Sequence, residues 1–296
     1  MGVSPKIRQP EGRHHSALAG GSTVGIDLDA YLKRIGYDGE RTPTIGTLRD
    51  VQLRHAESIA FENLNPLTGW PIHLDIESLQ QKMVRGGRGG YCFEQNLLLK
   101  HALEAMGFRI TGLAARVLWN APEGVIPPRS HMLLLVDLDG IRYVVDVGFG
   151  GVTLTGPLRL EVDIEQTTPH EPFRLVRADD EFIEQVRIGG HWVSLYRFNL
   201  SEQVLPDYEM ANWYLSTHPA SRFVTGLLAA RPAPDCRYAL LNNQLTVHYR
   251  HGGKDRRKIT SLDDMRKTLE RDFQIALPNA PELDAVLTRL TEQAHG

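Results

Sequence analysis

Two β-prone runs, His131–Asp137 and Ile141–Val147, flank the dipeptide Asp139-Gly140. An Asp-Gly pair between such runs marks a two-residue hairpin turn, because both turn positions favour positive φ. The turn makes the strands antiparallel and sets Gly148 opposite His131 and Leu133 opposite Asp146. Opposed residues share a face of a sheet, and so do residues two apart on one strand. His131 and Asp146 are thereby diagonal neighbours on one face, ~7–8 Å apart at the backbone and within side-chain reach. Moving the turn back by one residue makes them directly opposite, whereas a register of the other parity separates them. A carboxylate behind an imidazole fixes its tautomer and stabilises the imidazolium. A carboxylate late in an apolar strand needs such a partner.

The elements around the hairpin fall into three groups. The first third reads helical: Asp27 caps a helix to Tyr37, and a second begins after Thr42-Pro43 with Ile45, Leu48, Val51, His55 and Ile59 at spacings of three and four. Asn63 to Pro66 and Gly69 to Pro71 break the chain. A third helix starts near Asp75 and ends in Gly86, Gly87, Gly89 and Gly90, and a fourth runs from Cys92 to Met106 with Cys92, Asn96, Leu99 and Leu103 on one side. The middle third reads as strands: Ile110–Trp119, the hairpin, Phe173–Val176, Phe182–Ile188 and Trp192–Phe198, spaced as in an antiparallel barrel or sandwich. The last third is mixed. Met210–Leu228 reads partly helical, and Arg237–Leu241, Gln244–Tyr249 and Lys258–Ile259 read as strands. Helices follow from Ser261 to Phe273 and from Glu282 to Gln293.

Composition limits the function classes. The chain has 296 residues, 42% hydrophobic and 23% charged, with a net charge of −3, so it resembles an ordinary globular protein without a nucleic-acid footprint. No apolar run is long enough for a membrane span. Cys92 and Cys236 are too few for a disulfide framework, and the cytoplasm is the expected location. Residues 1–25 lack the apolar segment of a secretory signal and are read as a flexible tail. A homo-oligomer is left open.

Cys92 follows Arg88-Gly89-Gly90-Tyr91 and begins a helix. Glycines permit a sharp, close backbone turn, and the helix N-terminus offers free N–H groups and a positive dipole end. That setting favours a thiolate nucleophile, although a lone cysteine is otherwise most often structural. A nucleophilic cysteine needs a base and an orienter, and the hairpin supplies both types. His14-His15 lacks partners for a metal cage, so no metal site is expected. The basic run Arg250–Lys258 reads as a solvated hairpin tip, and Cys236 reads as structural.

The segment Arg88-Gly89-Gly90-Tyr91-Cys92-Phe93-Glu94-Gln95-Asn96 resembles the signature of the arylamine N-acetyltransferases. Phe61-Glu62-Asn63-Leu64, Ser130-His131, Asp146 to Gly151 and Ser216 to Phe223 resemble further family blocks, in order, over roughly residues 26–275. Ala60 stands where the family often has proline. The resemblance implies an α+β fold with a cysteine-protease-like core: a helical bundle (26–107), an antiparallel β-barrel (108–209) and an α/β lid (210–296). It implies a Cys92, His131 and Asp146 triad that moves an acetyl group from acetyl-CoA, as co-substrate, to a small aromatic amine or hydrazine through an acetyl-cysteine. It also implies CoA contacts from Ser130, Gly148, Phe149, Gly150, Gly151, Trp119 and His248, and an acceptor pocket of Phe61, Phe149 and Phe223. An amide synthase using the same triad is an alternative, as is a thiol hydrolase or transglutaminase-like enzyme.

Overall fold

Capping side chains open the first two helices. Asp27 accepts from the Ala30 N–H to start α1 (Leu28–Arg34), and Thr44 accepts from the Thr47 N–H to start α2 (Ile45–Ser58). The computed structural model describes residues 25–122 and 124–292, so the expected tail lies outside the described residues except for Gly25. Where the sequence reads as a break, the chain forms a two-residue strand, β1 (Phe61–Glu62), and a short helix, α3 (Leu64–Thr68). Asp75 caps α4 (Ile76–Leu79), which continues as a π-helical turn over Gln80–Arg85. After the glycine cluster comes α5 (Cys92–Ala105), whose first eight residues are all buried.

The middle of the chain forms β2 (Arg109–Val117), β3 (Arg129–Leu138), β4 (Ile141–Val145), β5 (Leu158–Arg159), β6 (Phe173–Ala178), β7 (Glu181–Ile188) and β8 (His191–Phe198). They make one antiparallel sheet in the order β5-β4-β3-β2-β8-β7-β6. Its two ends are drawn together by Gln166. The Gln166 side chain bonds both the N–H and the C=O of Arg159, and its main chain bonds Phe173. The sheet is thus nearly closed and barrel-like. Within it, Leu134 pairs with Val145 and Leu138 with Ile141, the register that the Asp139-Gly140 turn dictates.

Next come α6 (Leu205–Thr217), α7 (Arg222–Thr225), β9 (Leu228–Ala233), β10 (Cys236–Leu241), β11 (Gln244–Tyr249), β12 (Lys254–Lys258), α8 (Leu262–Arg271) and α9 (Pro281–Glu292). The second antiparallel sheet has the order β1-β9-β10-β11-β12. Its first strand therefore comes from the helical third of the chain. β9 lies between the segments that the sequence reading names, and Pro232 is an unusual strand residue. It is tolerated because β1 covers only Ala229 and Ala230, leaving Pro232 on a free edge. The basic run forms an exposed hairpin tip over Arg250–Gly253, as expected, and continues beyond it as the paired strand Lys254–Lys258.

Three apolar clusters hold these layers. One joins α1, α2 and α5 to Met132, Leu134, Val136 and Val145 of the barrel. A second lies between the five-stranded sheet and α8 and α9, and a third fills the barrel. Asn63 ties the first third to the last: its amide donates to the carbonyls of Phe223 and Gly226 and accepts from the Leu228 N–H, while 1% exposed. Asn63→Ala strands these three groups, and is expected to lower stability by about 1–3 kcal/mol in urea unfolding. An unchanged midpoint would contradict that role.

Candidate active site

The nucleophile candidate sits where α5 meets the glycine turn. Gly89 passes so near β1 that a Cβ on it would lie 2.0 Å from the Ala60 carbonyl oxygen. The turn is clamped from below by buried charge. Glu62 takes a two-pronged bond from Arg88, and Glu94 bonds Lys82 and accepts from the Tyr91 N–H. Gln95 donates to the carbonyls of Ile59, Ala60 and Gly90, and itself accepts from His55 Nε2, whose Nδ1 meets the Tyr31 hydroxyl. Burial pulls His55 down to about 4, so it stays neutral. Together these bonds fix the carbonyls and N–H groups on either side of Cys92.

His131 projects from β3, and Asp146 follows the last residue of β4. Their contact is direct: His131 Nε2 lies 2.7 Å from Asp146 Oδ2. The other carboxylate oxygen, Oδ1, accepts from the Gly148 N–H at 2.7 Å and from Asn96 Nδ2 at 2.9 Å. Asn96 lies one helical turn after Cys92 on the same face of α5, so the nucleophile's helix also holds the acid. Gln52 of α2 supports the same strand end through the Leu154 and Asp146 carbonyls. A Cβ on Gly148 would approach the Cys92 Cα to 2.6 Å, so only glycine lets the strand end press against α5.

With Nε2 on Asp146, Nδ1 is the ring nitrogen left for Cys92, whose side chain also favours the charged imidazole. The sulfur also lies 3.7 Å from the Ser130 carbonyl oxygen. The ring is packed between Phe149, at 5.3 Å and edge-on, and Tyr196, at 4.9 Å. Burial works against a charge on His131, but the Asp146 carboxylate and its hydrogen bond prevail and raise it to about 10. Burial likewise works against Asp146, and the charge and hydrogen bonds from His131, Asn96 and Gly148 hold it below the ordinary aspartate range.

A cleft of about 1370 Å³ opens over Cys92 and His131. It is also lined by Phe61, Trp119, Ser130, Gly148, Phe149, Gly150, Gly151, Phe223 and His248, so every proposed contact residue borders the same space. Asp146 lies behind, fully buried. Phe61 belongs to the first apolar cluster and half-buried Phe223 packs against it, the rings 6.2 Å apart with Tyr91 against Phe223. The floor is one face of the second sheet, small at Ala230, Ala239 and Thr246 and basic at Arg237, His248, Lys254 and Arg256. Arg237 is 3% exposed and bonds Glu171 through Nε and Nη2, while its buried Nη1 has no partner among the described residues. Burial and the adjacent Lys254 and Arg256 hold His248 below its ordinary value. The basic run, read from sequence as a solvated hairpin tip ahead of a contact with CoA phosphates, supplies this wall through the strand alternation of Lys254 and Arg256. Cys236 lines a separate cleft beside Tyr238 and Asp272.

A cysteine at a helix start, an imidazole and a buried carboxylate, facing a deep cleft on a helix-and-barrel frame, define a class of acyl-transfer enzymes. A family model described as N-acetyltransferase matches residues 44–282. The arylamine N-acetyltransferase of Mycobacterium tuberculosis (strain ATCC 25618 / H37Rv) is 42% identical over 273 residues, covering 91% of this chain and 96% of that protein. The solved structure of arylamine N-acetyltransferase from M. tuberculosis superposes with a TM-score of 0.86 at 42% identity, over 90% of this chain and 100% of the other. That of the Mycobacterium marinum arylamine N-acetyltransferase in complex with CoA gives 0.86 at 39% identity, over 89% and 99%. The chain belongs to the arylamine N-acetyltransferase family. Among the described residues no helix is long and apolar enough to cross a membrane, and no cluster of potential metal ligands occurs.

The buried pair sets a stability window. The contribution of Asp146, whose folded value is depressed, is complete above its unfolded value of about 4 and is lost as pH falls. That of His131, whose folded value is raised, is complete below 6.5 and is lost as pH rises through about 10. The stability difference between wild type and Asp146→Asn is therefore expected to peak between about pH 4 and 6.5 in denaturant melts. A difference independent of pH would contradict the charged pair.

Proposed function

We propose that the protein is an acetyl-CoA:arylamine N-acetyltransferase, working in two half-reactions through an acetylated Cys92, with His131 as proton carrier and Asp146 as its orienter. The observation that carries this reading is the 2.7 Å His131–Asp146 bond beside a cysteine that opens a helix and faces the cleft. Cys92, with its proton on His131, attacks the thioester carbonyl of acetyl-CoA. The Cys92 backbone N–H, in the first turn of α5 where no intrahelical acceptor exists, is the first donor to the developing oxyanion. The carbon–sulfur bond to CoA breaks, and the His131 proton leaves with the CoA sulfur. One thioester replaces another, so little driving force is lost. An arylamine or hydrazine then attacks the acetyl carbonyl, neutral His131 takes the amine proton, and Cys92 departs as thiolate. His131 and Cys92 end as they began.

In this reading residues 26–107 supply the nucleophile, 108–209 the His and Asp, and 210–296 a lid over the cleft, around a cysteine-protease-like core. The enzyme works in the cytoplasm. The aromatic walls at Phe61, Phe149 and Phe223 suit a flat acceptor. Ser130, Trp119 and the Gly148–Gly151 loop border the path of the pantetheine arm. The basic wall favours free CoA over a carrier-bound acyl chain, because CoA carries a pyrophosphate and a 3′-phosphate whereas a carrier presents one phosphodiester. Arg237 Nη1, buried without a partner, suits one such phosphate.

Incubation with acetyl-CoA and no amine should add one acetyl group, on Cys92 alone, by intact and peptide mass analysis. Addition of an arylamine should remove it. Acetylation elsewhere, or release of acetate instead of amide, overturns the reading. Lys254→Ala with Arg256→Ala is expected to raise the KM for acetyl-CoA roughly tenfold, with acetyl-pantetheine unaffected. Equal effects on both donors would remove the phosphate role.

A further inference from the structure

Glu184 is a carboxyl group in the wrong place for an ordinary strand residue. Its neighbours on the inward face of β7 are Phe182 and Val186, and it is 1% exposed inside the barrel. Its cross-strand partner on β8 is Tyr196, whose hydroxyl oxygen lies 2.8 Å from Glu184 Oε2. Tyr196 has two further neighbours. Its ring packs on the His131 imidazole with centroids 4.9 Å apart, and the nearby Asp146 charge helps hold its hydroxyl protonated. The phenol thus stands between two buried carboxyl groups with one proton to give.

The groups facing Glu184 are few. Tyr196 comes from β8, Asp146 from the end of β4 and His131 from β3, and the partner on β6 is Leu175. His131 is the one cation among them, and its Nε2 is bonded to Asp146. A negative Glu184 would set a second buried negative charge beside Asp146, with no second cation. A neutral Glu184 resolves the arrangement. Its own O–H donates to the Tyr196 oxygen, and the phenol proton is free for Asp146.

We propose that Glu184 is a positioning residue for acyl transfer: as the neutral acid it anchors Tyr196, and so fixes the plane of the His131 ring and the hydrogen bonds of Asp146. This rests on the acetyltransferase reading above only for its catalytic consequence. Burial and the Asp146 charge support the neutral form, pushing Glu184 up to about 8. Above that pH Glu184 ionises, the phenol proton turns to its carboxylate, and a second buried negative charge stands beside Asp146. Because the folded value is raised, this contribution to stability is complete below the ordinary glutamate range and is lost as pH rises through about 8.

The experiment compares wild type with Glu184→Gln, which keeps a neutral donor at the same position. Thermal midpoints and the rate of Cys92 acetylation are measured from pH 6 to 9.5. Both proteins share the decline that His131 brings. Wild type is expected to lose additional stability from pH 6 up to about 8, levelling above it, and to lose additional rate around pH 8, and Glu184→Gln is expected to lack that extra loss while matching wild type within about threefold at pH 7. Superimposable pH profiles, or a Gln variant crippled at pH 7, would overturn the proposal. The thermal midpoints need no substrate, so they test Glu184 even where acetylation fails and the functional reading falls with it. Carboxyl NMR of the folded wild type, labelled at glutamate, covers the case in which Glu184→Gln does not fold. A buried glutamate that stays protonated at pH 7 and titrates near pH 8 supports the proposal, and ionisation of all glutamates by pH 7 refutes it.

Discussion

The hydrogen-bonded pair of His131 and Asp146 is the interaction around which this chain is arranged. Two opposite charges are held out of water, at a cost that only close geometry and further hydrogen bonds can offset. The fold supplies both. The Asp139-Gly140 turn sets the register, and the close approach of Gly148 brings the strand end against α5. Asn96 and the Gly148 N–H occupy the second carboxylate oxygen. Losing either partner of such a pair costs about 3–5 kcal/mol, since the survivor stays buried and unpaired.

The same economy of contacts places the sulfur. The helix that begins with Cys92 is anchored by groups from four other parts of the chain: Glu62 and Arg88 beside β1, Lys82 in the π-helical turn, His55 in α2 and Asp146 beyond β4. A helix start is the least satisfied part of a helix, and here the turn leading into it is held by Glu94 on the Tyr91 N–H and by Gln95 on the Gly90 carbonyl. Cys92 and His131 are consequently set by a helix and a strand rather than by loops, which is what near-attack geometry requires.

Much of the frame is legible in the sequence because its signals are local. Asp139-Gly140 announces a hairpin and its parity, and Asp27, Thr44 and Ser261 announce helix starts by their side chains alone. What escapes is long-range. Nothing near Phe61 says that it pairs with Ala230, and Pro232 speaks against β9 until the shortness of β1 is known. The basic stretch near residue 254 looks like a solvated tip until its partner strand turns alternate side chains toward the cleft. At the site, Cys92, His131 and Asp146 can be read because helix and hairpin geometry link them. The supporting row behind them cannot, although Glu184 between Phe182 and Val186 on an inward face is a signal of its own: a carboxyl where the pattern asks for an apolar residue.

The central claim is that His131 is a buried imidazolium held by Asp146. Nitrogen NMR of the protein labelled at histidine measures this directly. The account predicts that both ring nitrogens of His131 carry protons at pH 8 and that the ring releases one only near pH 10. A ring that titrates near 6.5, as a free histidine does, would contradict the account.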